Sequence, residues 1–170
     1  MALYQIFNGP APTTAAQAVV TTGNAIKTLL QVKPSATIIA RIVEWGISFD
    51  GSAAATPIKC ELLETDVAAT VTASVAADIV KLDSAALNGG DPTTNLIVVG
   101  TTSTGYTSTG EGSITSTRVF DAQLIAPTNQ YVKQFPLGRE PIIQISKFAR
   151  IRVTAGAAVN AYCYMTVEIG

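Results

Sequence analysis

Residues 37–51 constrain the fold more than any other stretch. At the odd positions from 39 to 49 every residue except Arg41 is apolar, and one of them, Trp45, is the only tryptophan of the chain. The even positions become small and polar toward the end of the stretch. Because side chains of a strand point alternately to opposite faces, this pattern predicts a long β-strand with one buried face. The pair Asp50-Gly51 then suits a tight turn into a return strand, and Ala155-Gly156 likewise suits the last hairpin turn of the chain.

Other apolar runs of strand length, separated by Gly, Pro and Asn, recur along the chain. We predict strands at residues 15–20, 25–32, 58–65, 96–99, 114–125, 130–137, 142–145, 148–154 and 159–169. Helical spacing competes with strand propensity at 25–32, and residues 67–82 fit a helix, a strand or an ordered loop. Residues 83–94 and 100–112, rich in Gly, Ser, Thr and Asn, predict surface loops.

About eight strands without alternating long helices predict a single-domain all-β sandwich or barrel. The long connections between long strands favour a jelly roll over an immunoglobulin-like domain. Prolines at positions 10 and 12 separate residues 1–12 from the sandwich at 13–170. We therefore expect residues 1–12 to be an edge strand or an arm that docks on a neighbour. Its apolar contact residues would be Leu3, Tyr4, Ile6 and Phe7.

The composition indicates a protein that hides part of its surface in an assembly. Charged residues make up 14% of the chain, hydrophobic residues 48%, and the net charge is −1. Such a low charge density predicts contact with copies of itself or with a partner. Nucleic acid binding is not expected, because it needs clustered Lys and Arg. Arg150 and Arg152, the only close basic pair, are expected on a solvated or interfacial strand face.

The cysteines and the termini predict a reduced, non-membrane location. Cys60 and Cys163 lie far apart, and we expect buried free thiols over a single disulfide because no secretion signal precedes them. No apolar run approaches the roughly 20 residues that span a bilayer. We expect synthesis in the cytoplasm of a host cell.

The absence of histidine excludes several kinds of catalytic site. A Ser-His-Asp triad, a Cys-His pair and imidazole metal sites all need it. Glu44 and Asp50 share a predicted strand face but would lie roughly 20 Å apart, too far for glycoside hydrolysis. Glu61 and Glu64 would point to opposite faces, and surface solvation is expected for all these carboxylates. We predict no catalytic residues, no metal and no cofactor, although carboxylate pairs from different strands stay open.

Aromatic side chains form the strongest candidate site. On the last strand an apolar face (residues 161, 163, 165, 167 and 169) predicts the core side, so Tyr162 and Tyr164 would point outward. Tyr131 and Phe135 repeat this pattern on another strand. Outward rings are either cross-strand packing or interface anchors, since tyrosine joins an apolar ring to a hydrated hydroxyl. Our hypothesis is a homotrimer in which these four residues form the interface.

Three segments carry a resemblance to a known family. Residues 43–65 (VEWGISFDGSAAATPIKCELLET), 126–141 (APTNQYVKQFPLGREP) and 150–162 (RIRVTAGAAVNAY) resemble small structural proteins encoded beside capsid genes in tailed phages of actinobacteria. The resemblance covers about a third of the chain. It implies a capsid decoration or minor capsid protein with a jelly-roll fold like that of tumour necrosis factor, often trimeric. The implied partner is the phage major capsid protein, and the implied location is the capsid surface of the virion.

A carbohydrate-binding jelly-roll module on the virion surface is the alternative function. Such sites use aromatic rings on a concave face with nearby polar side chains. The chain has one tryptophan and 6% aromatic residues, which argues mildly against this alternative.

Overall fold

The computed structural model describes residues 2–52, 54–82 and 96–170. These residues form an all-β sandwich of two antiparallel sheets, in one domain. The strands are β1 Ala2–Phe7, β2 Val20–Thr21, β3 Ile26–Val32, β4 Ala40–Phe49, β5 Ile58–Thr65, β6 Thr70–Ala73, β7 Ile79–Lys81, β8 Gly105–Gly110, β9 Thr117–Ile125, β10 Gln130–Gln134, β11 Ile142–Ile143, β12 Phe148–Thr154 and β13 Asn160–Ile169. One short 3₁₀ helix, Ala76–Asp78, precedes β7. The all-β prediction is confirmed.

The seven-stranded sheet has the order β10-β4-β13-β1-β7, with β11 beside β4 and β2 beside β13. The six-stranded sheet has the order β6-β8-β3-β12-β5-β9. The inward side chains of both sheets form one apolar core around Trp45, which is fully buried. Burial of this apolar surface is the main source of the stability of the sandwich.

Two strands begin and end where the sequence predicts them. These are β5 and β12, whose bounds agree with the predicted 58–65 and 148–154. At residues 25–32 strand propensity prevails over helical spacing, since β3 occupies Ile26–Val32. The predicted strand at 15–20 is wrong except for its last residue, and 96–99 contributes only isolated bridges at Ile97 and Val99. The loop predicted at 83–94 lies outside the described residues.

The alternation that predicted β4 contains a break that the sequence hides. Opposite β13 the register shifts between Thr166 and Val167, so β4 carries a β-bulge around Val43. Ala40 and Ile42 therefore point into the core before the bulge, and Trp45 points into it afterward. The bulge explains why Arg41 stands among apolar odd positions, because it lies on the outer face.

Two predicted hairpins are wrong. The turn at Asp50-Gly51 connects β4 and β5, which belong to different sheets, and residues 155–159 likewise connect β12 to β13 across the sandwich. Gly51 packs closely against Pro127 and Val159, and its N–H donates to the Pro127 carbonyl at 2.7 Å. Successive strands that change sheets are what Greek-key crossovers require. The jelly-roll topology itself stays a prediction.

Residues 2–7 are not a free arm, which corrects the prediction for residues 1–12. β1 pairs with β13 on one side and with β7 on the other, so it is also not an edge strand. Tyr4 and Ile6 are fully buried in the core, while Leu3 and Phe7 are half-buried on the outer face. Pairing along two edges satisfies the backbone of β1 within its own chain, which leaves none of these four residues available as a detached capsid contact.

Candidate interaction surface

The outer face of the seven-stranded sheet carries a groove of about 370 Å³. We call it the aromatic groove. It is lined by Phe7, Gln17, Ile47, Ser48, Gln130, Val132, Tyr162 and Tyr164. None of these side chains is charged, and they come from four strands and from the segment before β2.

The structure places Tyr162 and Tyr164 on the outer face of β13, as strand parity predicts. Both are half-buried, whereas Ala161, Cys163 and Met165 between and beside them are in the core. The Tyr162 hydroxyl donates to the Gln17 carbonyl, and the Tyr164 hydroxyl donates to the Glu44 carboxylate. These hydrogen bonds within the chain fix the positions of both rings.

A glycine makes room for the Tyr164 ring. Gly46 lies opposite Tyr164 in the β4–β13 pairing, and a Cβ atom there would come within 2.5 Å of the ring carbon Cε1. The Phe7 ring lies on the other side, with its centroid 5.7 Å from that of Tyr164. Burial, with the hydrogen bond and charge of Glu44, raises the pKa of Tyr164 to about 12, so the hydroxyl stays protonated at neutral pH.

Tyr131 and Phe135 do not belong to this groove, which corrects their predicted outward direction. Tyr131 on β10 points inward, and its ring packs on Trp45 with a centroid distance of 5.4 Å, while Phe135, directly after β10, is buried in the core. The outward apolar residue of β10 is Val132, which is 55% exposed. The predicted set of four thus divides into two groove residues, one core residue and one ring packed against the core.

Asp121 joins the free edges of the two sheets. It lies on β9 with its side chain buried and accepts hydrogen bonds from Trp45 Nε1 at 3.2 Å and from the Tyr131 hydroxyl at 2.9 Å. Lys133 Nζ lies 3.2 Å from its other oxygen, which also accepts from Gln123. Burial acts to raise the pKa of Asp121, but these donors together hold it below its usual value. The carboxylate is therefore a structural anion.

Part of the outer face of the six-stranded sheet, around Arg150, is covered by two segments, 66–69 and 111–116, which we call the strap. Arg150 lies beneath it and is fully buried. Its guanidinium donates to the Val67 carbonyl, to the Glu111 carbonyl at 3.1 Å and to the Glu111 carboxylate at 3.2 Å. The expected solvated or interfacial role of Arg150 is therefore wrong: it is an internal anchor.

Glu111 is the centre of this anchor. Its carboxylate accepts from the Thr28 N–H, the Thr28 hydroxyl and the Ser108 hydroxyl, each at 2.6 Å. Burial acts to raise the pKa of Glu111, but these donors and the Arg150 charge hold it below its usual value. Gln31 adds a second tether: its amide exchanges two hydrogen bonds with Ala69 and donates to the Ser103 carbonyl at 2.6 Å.

This network also corrects the loop predicted at residues 100–112. Its residues 105–110 form β8, an interior strand between β6 and β3. Hydroxyl groups looked too polar for a buried position, yet Ser103, Thr104 and Ser108 are buried and hydrogen-bonded. In the sequence, the only signal for this buried polar network is the run of Thr and Ser before Glu111, together with a basic residue, Arg150, in an apolar strand.

Of the carboxylates considered for catalysis, Glu61 and Glu64 are buried in ion pairs, so the expected surface solvation is wrong for them, whereas Asp50 is exposed as expected. Glu61 pairs with Arg152 at 2.9 Å and with Lys59 at 2.7 Å, and Glu64 pairs with Arg118 at 3.1 Å. Both carboxylates are buried, and their opposite faces agree with strand parity. Glu44 and Asp50 are engaged by Tyr164 and by Asn160, respectively.

The cysteines are free and buried, as predicted. Cys60 and Cys163 point into the core from opposite sheets, and burial raises the pKa of the Cys60 thiol to about 12. Within residues 2–52, 54–82 and 96–170 no group of three or more Cys, Asp or Glu side chains is placed to hold a metal ion. In the same ranges no helix is long and apolar enough to cross a membrane.

No family model, curated protein or solved structure matches the chain. The resemblance to phage structural proteins therefore stays a prediction, and the functional argument depends on the surfaces described above.

Proposed function

We propose that the chain is a structural protein of a phage head, which attaches to the capsid as a homo-oligomer, a trimer, and stabilises it. The observation that supports this proposal is the aromatic groove, an uncharged and preorganised apolar surface on the open face of a sandwich. Isolated apolar side chains on a surface are ordinary, whereas a contiguous apolar hollow marks a contact site.

The chemistry of the groove favours assembly. Tyrosine rings are frequent anchors of protein interfaces because they bury a large area and lose few rotatable bonds. Tyr162 and Tyr164 are already fixed by hydrogen bonds to Gln17 and Glu44, so a partner does not have to order them. The same rigidity argues for a permanent contact surface.

The virion part of the proposal is supported by the three segments that resemble phage structural proteins. All three contribute to the region around the groove: residues 43–65 include Ile47 and Ser48 of β4, 126–141 contain β10, and 150–162 end at Tyr162. The proposed partner is the phage major capsid protein. Since β1 is part of the sheet, a capsid contact would involve a surface other than a detached arm.

The mass of the purified protein is the first test. Each chain has a mass of 17.6 kDa, and we expect light scattering after size exclusion to give three times this value. The double variant Y162S/Y164S should have a lower mass while keeping its β-sheet circular dichroism. A second test is co-sedimentation with preformed heads that lack the protein. A monomeric wild type that does not sediment with heads would contradict the proposal.

A carbohydrate-binding module is the second candidate, because one observation favours it. The groove combines two tyrosine rings with the amides of Gln17 and Gln130 and the Ser48 hydroxyl, which are groups that can stack on and hydrogen-bond to a sugar. A glycan array with the purified protein distinguishes the two candidates. Binding that Y162S/Y164S abolishes, in a wild type that is monomeric, would favour the carbohydrate module.

A further inference from the structure

Leu137 is 93% exposed, more than any other large apolar side chain of the described residues. It lies at the tip of a tight turn over residues 136–139, which we call the knob. The Arg139 N–H donates to the Pro136 carbonyl at 2.9 Å, and Gly138 has φ +80°. A positive φ at the third position is the signature of a type II turn, which holds Leu137 outward in a defined place.

The knob projects from the edge of the seven-stranded sheet. It connects β10 to β11, and both strands pair with β4 on the side away from β13. The same edge presents Val132, a residue of the aromatic groove. The exposure of Leu137 also shows that the knob does not occupy the groove of its own chain.

The groove fits a small apolar insert. Its volume of about 370 Å³ lies near the lower end of the range of roughly 300–1,000 Å³ for ligand pockets. Such a hollow accepts one or two side chains but is too small for a strand or a helix. Pro136, Leu137 and Gly138 are uncharged, as is every groove residue, so the part of the knob that enters the groove carries no charge. Arg139, the last residue of the knob, lies outside that part.

We propose that the knob of one copy of this chain inserts Leu137 into the aromatic groove of a second copy. This inference rests on the proposed assembly and names the contact that holds it together. Knob and groove are different surfaces, so the contact is head-to-tail and satisfies every copy only when a ring closes. In the proposed trimer, three knobs would fill three grooves.

The first experiment changes the knob. Leu137→Asp places a carboxylate at the tip and should convert the oligomer to the 17.6 kDa monomer in light scattering. We expect association to weaken at least about 10-fold per contact, from the lost burial of one leucine. Val75→Asp is the matched control, since Val75 is also exposed but follows β6, at the far edge of the other sheet. It should leave the mass unchanged.

The second experiment restores a single contact. Val132→Asp places a carboxylate in the groove and should also give monomers. In a mixture of L137D and V132D, the knob of V132D and the groove of L137D are both intact. Native mass spectrometry should therefore show heterodimers that neither variant forms alone.

The outcomes separate this inference from the proposed function. A wild type that is oligomeric, with L137D and V132D of unchanged mass, would overturn the knob-in-groove contact and leave the assembly proposal standing. A monomeric wild type would overturn both. Loss of the oligomer in L137D but also in V75D would overturn the contact as well, since the effect would then be general.

Discussion

The outer faces of the two sheets differ in which side chains they bury and which they leave accessible. The six-stranded sheet places a charged residue, Arg150, at the centre of its outer face and closes the strap over it. The seven-stranded sheet places two half-buried tyrosine rings on its outer face and leaves an open groove. The difference teaches that polarity on an outer face does not indicate exposure. Charged groups here are internal anchors, whereas the uncharged aromatic groups remain accessible.

The largest effect is expected from breaking the anchor. Arg150→Met removes the positive charge that faces the Glu111 carboxylate and the donor to the Val67 carbonyl under the strap. Removing one partner of a buried ion pair costs about 3–5 kcal/mol of unfolding free energy. Urea unfolding of the wild type and of Arg150→Met measures this loss of unfolding free energy. Arg152→Met is the control and should cost less, because Glu61 keeps its ion pair with Lys59 when Arg152 is removed. Equal losses in both variants would remove the special role of Arg150.

A smaller effect is expected from closing the space beneath Tyr164. Gly46→Ala puts a methyl group within 2.5 Å of the ring and should cost about 1–3 kcal/mol through overpacking. In a double-mutant cycle, Tyr164→Ala should remove most of that penalty, because the clashing ring is gone. Additive losses would show that the ring and the glycine are independent.

The hydrogen bonds of Asp121, which join the edges of the two sheets, can be tested through the fluorescence of Trp45. Asp121→Ala leaves the Trp45 indole N–H and the Tyr131 hydroxyl without their acceptor. We expect a loss of about 1–3 kcal/mol and a red-shifted fluorescence maximum as water reaches the indole. Asp50→Ala is the control, because Asp50 carries an exposed carboxylate in the connection between β4 and β5. An unchanged emission spectrum in Asp121→Ala would contradict the proposed role of Asp121 in joining the two sheets.

The smallest effect is the acid response of the strap. The folded-state pKa of Glu111 lies below its unfolded value, so its ionised form stabilises the fold above the ordinary glutamate pKa of about 4.3. That stabilisation is lost as pH falls through the lowered folded-state pKa. Glu111→Gln should therefore flatten part of the fall in urea midpoint between about pH 6 and pH 3. A slope identical to that of the wild type would contradict this role.

Acid sensitivity should not disappear in that variant. Asp121 and Glu61 also have pKa values below their usual ones, and the hydrogen bonds from Thr115 and Ser116 lower the pKa of Asp66 to about 2. The remaining slope in Glu111→Gln thus measures the other carboxylates.

Local alternation was enough to predict several elements. β5 and β12 were predictable to the residue because their inward and outward side chains alternate without a break. The outward direction of Tyr162 and Tyr164 followed from the same two-residue period on β13. Periodicity acts within a strand, so these features need no knowledge of its neighbours.

Other features depended on which strands meet. β4 and β5 read as a hairpin, yet they lie in different sheets, because turn residues do not reveal the sheet that the next strand joins. The bulge near Val43 reversed the parity of half a strand. The polar run at 105–110 became an interior strand because Ser108 and Glu111 bond to Thr28, 80 and 83 residues away in the chain, and Glu111 also bonds to Arg150, 39 residues away.

The amino-acid pattern alone established an all-β chain with buried thiols, a regular core face and outward tyrosines on its last strand. Only the folded structure decided that Arg150 is buried, that Tyr131 and Phe135 turn inward and that β1 is an interior strand. The physical reason is that burial of a polar or aromatic side chain depends on long-range partners. A hydrogen-bonded charge can be placed inside a protein only where the rest of the chain supplies its donors and acceptors.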